Sequence, residues 1–534
     1  MVRAIPGSND STDQRSSPTT EPRSSAGPTI RRLTMTLAIA MAILLLVASV
    51  PYWLPRAVVA LRMHIFTRIN GDEGIPIPGK LVDASRFKQV YSDRAADGRS
   101  HGAALSDLFW YWLSPGPEIH QEHIELGERY DEVARTTHQI LAVPKHTAED
   151  LTRRVVGQIM DEHDIRSATV VRLRDLMMPI WADVYYEVVF GKPCNPAARK
   201  LIVDNASDVV MALKCCSLRH MGRRHRLTSF LIEKVRGGEV PHALPACLST
   251  EEKALYLQGV FFNTAVVQMS EAMTHLMLVI AQHDGVQARL AADPENDDYI
   301  HGVINEGFRI FPLFGISHRI TSDDITVNEQ TTIPRGSVLC FNHQEFHRQS
   351  FDDPERFDPE RWASLSAHDS NFIPFGVVAN RACPAQAMAL ITMRVAAREL
   401  LRRLRFRSSI LHTRSIPNRG PCLAIPRALD YNARLEKTQL FWMRLRDRWE
   451  DVGRSIVQLV LGTYMVWEAR RLRLCQRYFE AKDSENDENP EPKHHASACP
   501  FATRSTTRTI CQPSGTPPQF QLTTRNSTTG HTTP

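Results

Sequence analysis

The stretch FIPFGVVANRACPAQAMAL, residues 372–390, holds one cysteine, Cys383, two positions after Arg381 and just ahead of a helix-forming run. A thiolate persists at neutral pH only where positive potential surrounds it. Arg381 and the amino end of the following helix would supply that potential. Pro384 suits an early helical position, where no amide donor is wasted. Read locally, a buried structural cysteine explains Cys383 equally well. Two patterns upstream shift the balance. NEGFR places Glu306 and Arg309 three apart, on one helix face. Alone such a pair says little, because surface helices carry many of them. FDDPERFDPERWASL, residues 351–365, then adds Arg361 inside a Pro-Glu-Arg-Trp run. An acid–arginine helix, then Pro-Glu-Arg-Trp, then Arg-x-Cys, all within 78 residues, is far more specific than any one part.

These residues need a large, mostly helical frame. The chain has 534 residues, 43% hydrophobic and 23% charged, which fits one large helical enzyme domain with extensions. A net charge of +5 argues against a dedicated nucleic-acid binder. The 10 cysteines are scattered without a C-x-x-C pair, which argues against a zinc ribbon or a thioredoxin-like site and fits a reducing compartment. Leu33–Leu54 carries no charge and as a helix would be about 33 Å long, enough to cross a bilayer core. Arg31, Arg32 and Arg56 flank it, and Tyr52 and Trp53 sit where interfacial aromatics belong. Residues 249–283 open with a capping box, Ser249 to Glu252, and are apolar nearly all round, which predicts a long buried central helix. The expected organisation is a disordered segment 1–32, a membrane anchor 33–54, a catalytic domain 56–427, an amphipathic helical extension 428–479 and a disordered tail 480–534.

The ordered motifs resemble the cytochrome P450 superfamily of haem-thiolate enzymes, with most specificity from about Glu271 to Pro426. MLVIAQHDGVQARL is similar to the helical stretch before the family's acid–arginine helix, and residues 311–362 to its meander and small sheets. The resemblance implies a mainly α fold with a small β portion and an amino-terminal transmembrane helix. It implies haem b, with Cys383 as the axial thiolate on iron and Arg381 and Arg319 on the propionates. Glu306, Arg309 and Arg361 would form the family's structural triad. It further implies electrons from NADPH through a partner reductase and one oxygen atom inserted into an apolar small molecule. The enzyme would be single-pass in the endoplasmic reticulum membrane, with its catalytic domain in the cytosol. The style of the motifs points to a filamentous-fungal enzyme of secondary metabolism.

Departures from the family pattern matter as much. Phe375 lies one residue too far from Cys383, Ala385 replaces a glycine, and Ala379 replaces another. The family's acid–threonine pair, which relays protons during dioxygen reduction, falls on Val267 and Gln268; Asn263 and Thr264, one turn earlier, offer a second alignment. Arg129, Arg135 and His138 are weak candidates for further propionate partners. His120 and His123 lack a third ligand at a metal-binding spacing and read as a surface or haem-edge helix. The missing threonine keeps open a haem-thiolate isomerase or dehydratase that needs no reductase. A non-catalytic haem-binding membrane protein is the third alternative.

Overall fold

The longest buried element runs from Thr250 to Gln282 through the middle of the molecule. Its start is the expected capping box: the Glu252 amide donates to Ser249 Oγ at 3.2 Å, and the Ser249 amide to Glu252 Oε2 at 2.9 Å. Replacing Ser249 by alanine removes one of these bonds and is expected to lower stability by about 1 kcal/mol in denaturant unfolding. This computed structural model describes residues 27–71, 74–97, 104–120, 123–366, 370–377 and 380–488. Contacts divide the chain between Lys482 and Asp483, and beyond that point only the last turns of the helix Leu474–Glu488 are described.

The fold is mainly helical. Helices Lys145–His163, Leu173–Phe190 and Gln386–Arg403 pack with the central helix around one large apolar core. The short strand Ile75–Ile77 lies parallel to Val338–Asn342, which pairs antiparallel with Ile316–Ile320 on its other side. A second sheet orders Thr169–Arg172, Pro421–Pro426 and Leu404–Arg407, and a two-stranded ladder joins Ile325–Asn328 to Thr331–Ile333. The acid–arginine helix, Asp297–Ile310, stops where Phe311 caps it ahead of Pro312. Pro312 ends it by disfavouring helical geometry in the preceding residue.

Three sequence expectations shift. The amino-terminal helix spans Gly27–Asn70, so it begins inside the segment expected to be disordered and continues well past Leu54. Pro51 and Pro55 lie within it without ending it. Pro384 precedes the helix Gln386–Arg403 instead of opening it. Downstream, Ala433–Leu472 forms one 40-residue helix that packs along the amino-terminal helix, and another helix reaches Glu488, beyond the expected boundary at 479. Asn205, in an N-x-S sequence, is fully buried and hydrogen-bonded to Asn263, which rules it out as a glycan acceptor in this fold.

Candidate active site

The central helix changes pitch where chemistry was expected. Gln258–Ala265 forms a π-helical segment, between α-helical stretches that end at Leu257 and resume at Val266. A π turn widens the helix and is found often at functional sites. This segment packs closely against the loop 113–116. A Cβ at Gly259 would stand 2.5 Å from the Gly116 carbonyl oxygen, so only glycine permits the approach. Asn263 then bolts the helix to this loop: its Nδ2 donates to the carbonyls of Leu113 at 2.9 Å and Pro115 at 3.1 Å. Its Oδ1 accepts from Asn205 at 2.8 Å. Asn263 is therefore a fastening, and of the second alignment only Thr264 keeps a side chain free of such bonds.

Thr264, Ala265 and Gln268 are partly exposed in a helix that is otherwise almost entirely buried. Their one-turn spacing puts them on one face. Neither Thr264 nor Gln268 hydrogen-bonds through its side chain among the described residues. Val267 points into the core. The same face continues to Glu271, which sequence reasoning assigned no role. Glu271 pairs with Arg174 and, at 2.6 Å, with Lys214 Nζ. Burial pushes its carboxyl pKa up, but the two cations outweigh this and hold it below the ordinary value. It is an ionised, doubly paired carboxylate, and so a poor proton donor. Its position three after Gln268 was the only sequence clue to this cluster, because its partners come from distant segments.

The cysteine loop is held from several sides. Cys383 is half-buried, and its amide donates to the Phe375 carbonyl at 2.9 Å. Phe375 meets Phe308 edge to face, with centroids 5.5 Å apart, which ties the loop to the acid–arginine helix. Val377 and Asn380 form an antiparallel bridge around the two residues between them. Those residues, including Ala379, lie outside the described set. Arg381 takes a left-handed backbone conformation, φ 51°. Tyr185, on the helix Leu173–Phe190, has its hydroxyl pKa pushed up, chiefly by burial and then by the neighbouring Cys383.

Arg381 and Arg319 both reach this loop. Arg319 donates to the carbonyls of Tyr91 at 3.0 Å, Ala96 at 3.3 Å and Asn380 at 3.5 Å. Arg381 pairs with the carboxylate of Asp97 and lies 4.7 Å from the Tyr130 ring centre. Two buried guanidinium groups therefore sit at this loop, Arg319 through the Asn380 carbonyl and Arg381 as part of it, the latter already engaged by a carboxylate. Of the weaker candidates, Arg129 pairs with Glu252 at 2.7 Å, and Arg135 and His138 are exposed. His120 and His123 approach each other, with centroids 5.6 Å apart, but no metal-capable group of three is present among the described residues.

Beneath the loop, Glu306 gathers the rest. Its carboxylate accepts from Arg309 Nε and Nη2 at 2.9 and 2.8 Å and from Arg361 Nε at 3.1 Å. The Trp362 indole and the Asp358 amide each add a bond at 3.0 Å. Arg309 in turn donates to the carbonyls of Pro354 and Arg356. The three residues named from sequence do meet; Trp362, the neighbour of Arg361 in Pro-Glu-Arg-Trp, is the member that was missed.

Comparison with known proteins agrees with this arrangement. The Cytochrome P450 family profile matches residues 248–427. Cytochrome P450 135B1 of Mycobacterium tuberculosis is 30% identical over 161 residues, which are 28% of this chain and 34% of that protein. Cyclooctat-9-en-7-ol 5-monooxygenase of Streptomyces melanosporofaciens is 33% identical over 98 residues, 17% of this chain and 21% of that protein. The matches thus span about a third or less of these relatives' lengths. A zebrafish cytochrome P450 solved with progesterone superposes with TM-score 0.54 at 16% identity, covering 64% of this chain and 92% of that one. That likeness shows the fold. The profile covers the central helix, the Glu306 cluster and the Cys383 loop together, so residues 248–427 of this chain match the cytochrome P450 family.

Proposed function

We propose that the chain is a haem-thiolate monooxygenase that inserts one oxygen atom from dioxygen into an apolar small molecule, with Cys383 as the iron ligand. The observation that carries this reading is the half-buried Cys383 thiol on a loop braced by the Glu306 cluster and flanked by Arg319 and Arg381. The donor set fits haem. A soft sulfur suits iron, and forked guanidinium groups suit propionate carboxylates. Arg381 already holds the Asp97 carboxylate, so a propionate would share or replace that partner. When bound, haem supplies the dioxygen chemistry, and a thiolate ligand favours cleavage of the O–O bond by pushing electron density onto iron.

The protein's own tasks are to hold the thiolate, keep the loop rigid and deliver protons. Thr264 and Gln268 are the polar groups on the accessible face of the central helix, and neither is an acid. Thr264 can pass a proton from ordered water through its hydroxyl, whereas Gln268 can only position such water. NADPH, through a partner reductase, is the proposed electron source. The relative named as a cyclooctat-9-en-7-ol 5-monooxygenase supports an apolar substrate. The exposed apolar run of the helix Gly27–Asn70 supports a membrane anchor; the proposed location of the catalytic domain is the cytosolic face of the endoplasmic reticulum. The rival reading, an isomerase or dehydratase without reductase, draws on Val267 and Gln268 at the expected acid and alcohol positions.

Coupling measurements separate the two. NADPH consumed, peroxide released and product formed are compared for wild type, Thr264→Ala and Gln268→Ala. Loss of a proton-relay group typically costs about 10²–10⁴-fold in rate. Thr264→Ala is expected to divert electrons to peroxide, and Gln268→Ala to do so less. Product formation without NADPH consumption would contradict the monooxygenase and favour the isomerase. Full coupling in both variants would assign the relay to substrate or ordered water.

A further inference from the structure

The loop between the strands Leu404–Arg407 and Pro421–Pro426 runs back along the central helix. The Ser408 amide donates to the Ala281 carbonyl at 3.1 Å, and Gln282 Nε2 to the Ile410 carbonyl at 2.9 Å. Further along, His412 Nε2 meets His275 Nδ1 at 2.9 Å, and Phe311 stacks on His412 with centroids 3.6 Å apart. The Ile416 carbonyl then accepts at 2.6 Å from Arg174 Nη2, whose guanidinium also pairs with Glu271. Arg414 therefore comes between the contact at His275 and the one that leads to Glu271. Those two helix residues continue the face of Thr264 and Gln268 at three- and four-residue steps.

Arg414 arrives there without a counter-charge. Its guanidinium lies against the backbone of Gly315, where a Cβ would collide with Nε, Cζ and Nη1 together, so glycine makes the seat. Its side chain has no hydrogen bond or ion pair among the described residues. It keeps accessible surface, yet the protein around it pushes its pKa down, and no carboxylate acts in the other direction. Its charge instead disfavours the protonated forms of Lys214 and His275. Other deeply placed arginines are matched: Arg174 by Glu271, Arg224 by Asp208 and Arg309 by Glu306. Glu271 is already taken by Arg174 and Lys214. The neighbours of Gly315 in the chain, Phe314 and Ile316, are 47% and 44% exposed, which puts uncovered apolar surface beside the unmatched cation.

We propose that Arg414 binds a carboxylate of the substrate, so that the substrate is an amphipathic acid with an apolar body and one anionic end. This deepens the monooxygenase reading and rests on it for the word substrate. The guanidinium fork matches the two oxygens of a carboxylate. Apolar walls with a few placed polar groups are the usual make-up of a small-molecule site. From the level of Glu271 and His275 to that of Thr264 and Gln268 is seven residues, about 11 Å along the helix. A body of that length would reach the relay groups while its acid stays on Arg414. A haem propionate is the competing anion, because Arg319 follows Gly315 on the same strand segment.

The test is calorimetric titration of the full chain, supplied with haem in non-ionic detergent, with 4-phenylbutyrate and with 4-phenylbutan-1-ol. The two probes share a body and differ at the charged end. Wild type is expected to bind the acid about 10–100-fold more tightly than the alcohol. Arg414→Gln should bind both alike, and Arg414→Lys should keep part of the preference. No preference in the wild type, or an undiminished one in Arg414→Gln, would overturn the proposal. Haem content should be the same in wild type and Arg414→Gln; haem lost from the variant would give Arg414 to a propionate and overturn it too. Heat of binding is read independently of iron ligation. A preference for the acid in protein that lacks the carbon monoxide spectrum of thiolate-ligated haem would support the carboxylate site and contradict the monooxygenase reading. That spectrum without the preference would contradict the carboxylate site alone.

Discussion

Glu306→Ala is expected to yield little folded protein. Glu306 and Arg309 are both completely buried, and the carboxylate takes the five hydrogen bonds from Arg309, Arg361, Trp362 and the Asp358 amide. Truncation leaves a buried guanidinium without its counter-charge, which costs about 3–5 kcal/mol in comparable pairs. A domain stable by about 5–15 kcal/mol loses a large share of its margin. The damage should also be local, because Asp358, Arg361 and Trp362 belong to the segment that leads into the cysteine loop. Denaturant unfolding and the yield of folded, haem-loaded protein measure this. Glu306→Gln keeps the shape and one acceptor oxygen but not the charge, so it should fall between wild type and alanine. Wild-type stability in Glu306→Ala would mean the cluster does not hold this part of the fold.

Cys383→Ala should behave in the opposite manner. Its side chain is half-buried, and the loop's link to Phe375 runs through the backbone amide, which alanine keeps. Measured without haem, stability should therefore change little, within the roughly ±0.5 kcal/mol of substitutions that remove no buried partner. Oxygenation should nevertheless be lost. Disturbing only the outer partners of a metal ligand costs about 10–100-fold in affinity or activity, and removing the ligand itself should cost more. The two variants thus separate scaffold from chemistry: Glu306→Ala loses the fold and its activity with it, and Cys383→Ala loses activity alone. Parallel unfolding curves and turnover assays make the comparison.

What was legible in the sequence followed from local rules or from ordered motifs. The capping box at Ser249 and Glu252 is a four-residue device, so its bonds were readable in advance. Glu306 and Arg309 share a helix turn, and Arg361 joins them from a motif of fixed order. The Glu271 cluster was not legible. Arg174 and Lys214 lie 97 and 57 positions away, and only the packing of three helices brings them to one carboxylate. The partner of Arg381 escaped for the same reason, since Asp97 arrives from a loop 284 positions earlier. The close seating of the π segment was hidden because it rests on a backbone approach between Gly259 and Gly116, and neither glycine reads as a contact in a linear chain. The apolar run Leu33–Leu54 was readable as a helix from its lack of charge and its length. The helix's continuation to Asn70 depends instead on a packing partner, Ala433–Leu472, that comes near the end of the chain.

The most direct test of the central claim is the absorption spectrum of the reduced protein under carbon monoxide. With Cys383 as thiolate ligand, the wild type should show the long-wavelength Soret band that thiolate-ligated haem gives, and Cys383→Ala, loaded with haem, should show none of it. A Cys383→Ala protein that retains the band, or a haem-loaded wild type that lacks it, would contradict the assignment of Cys383 to the iron.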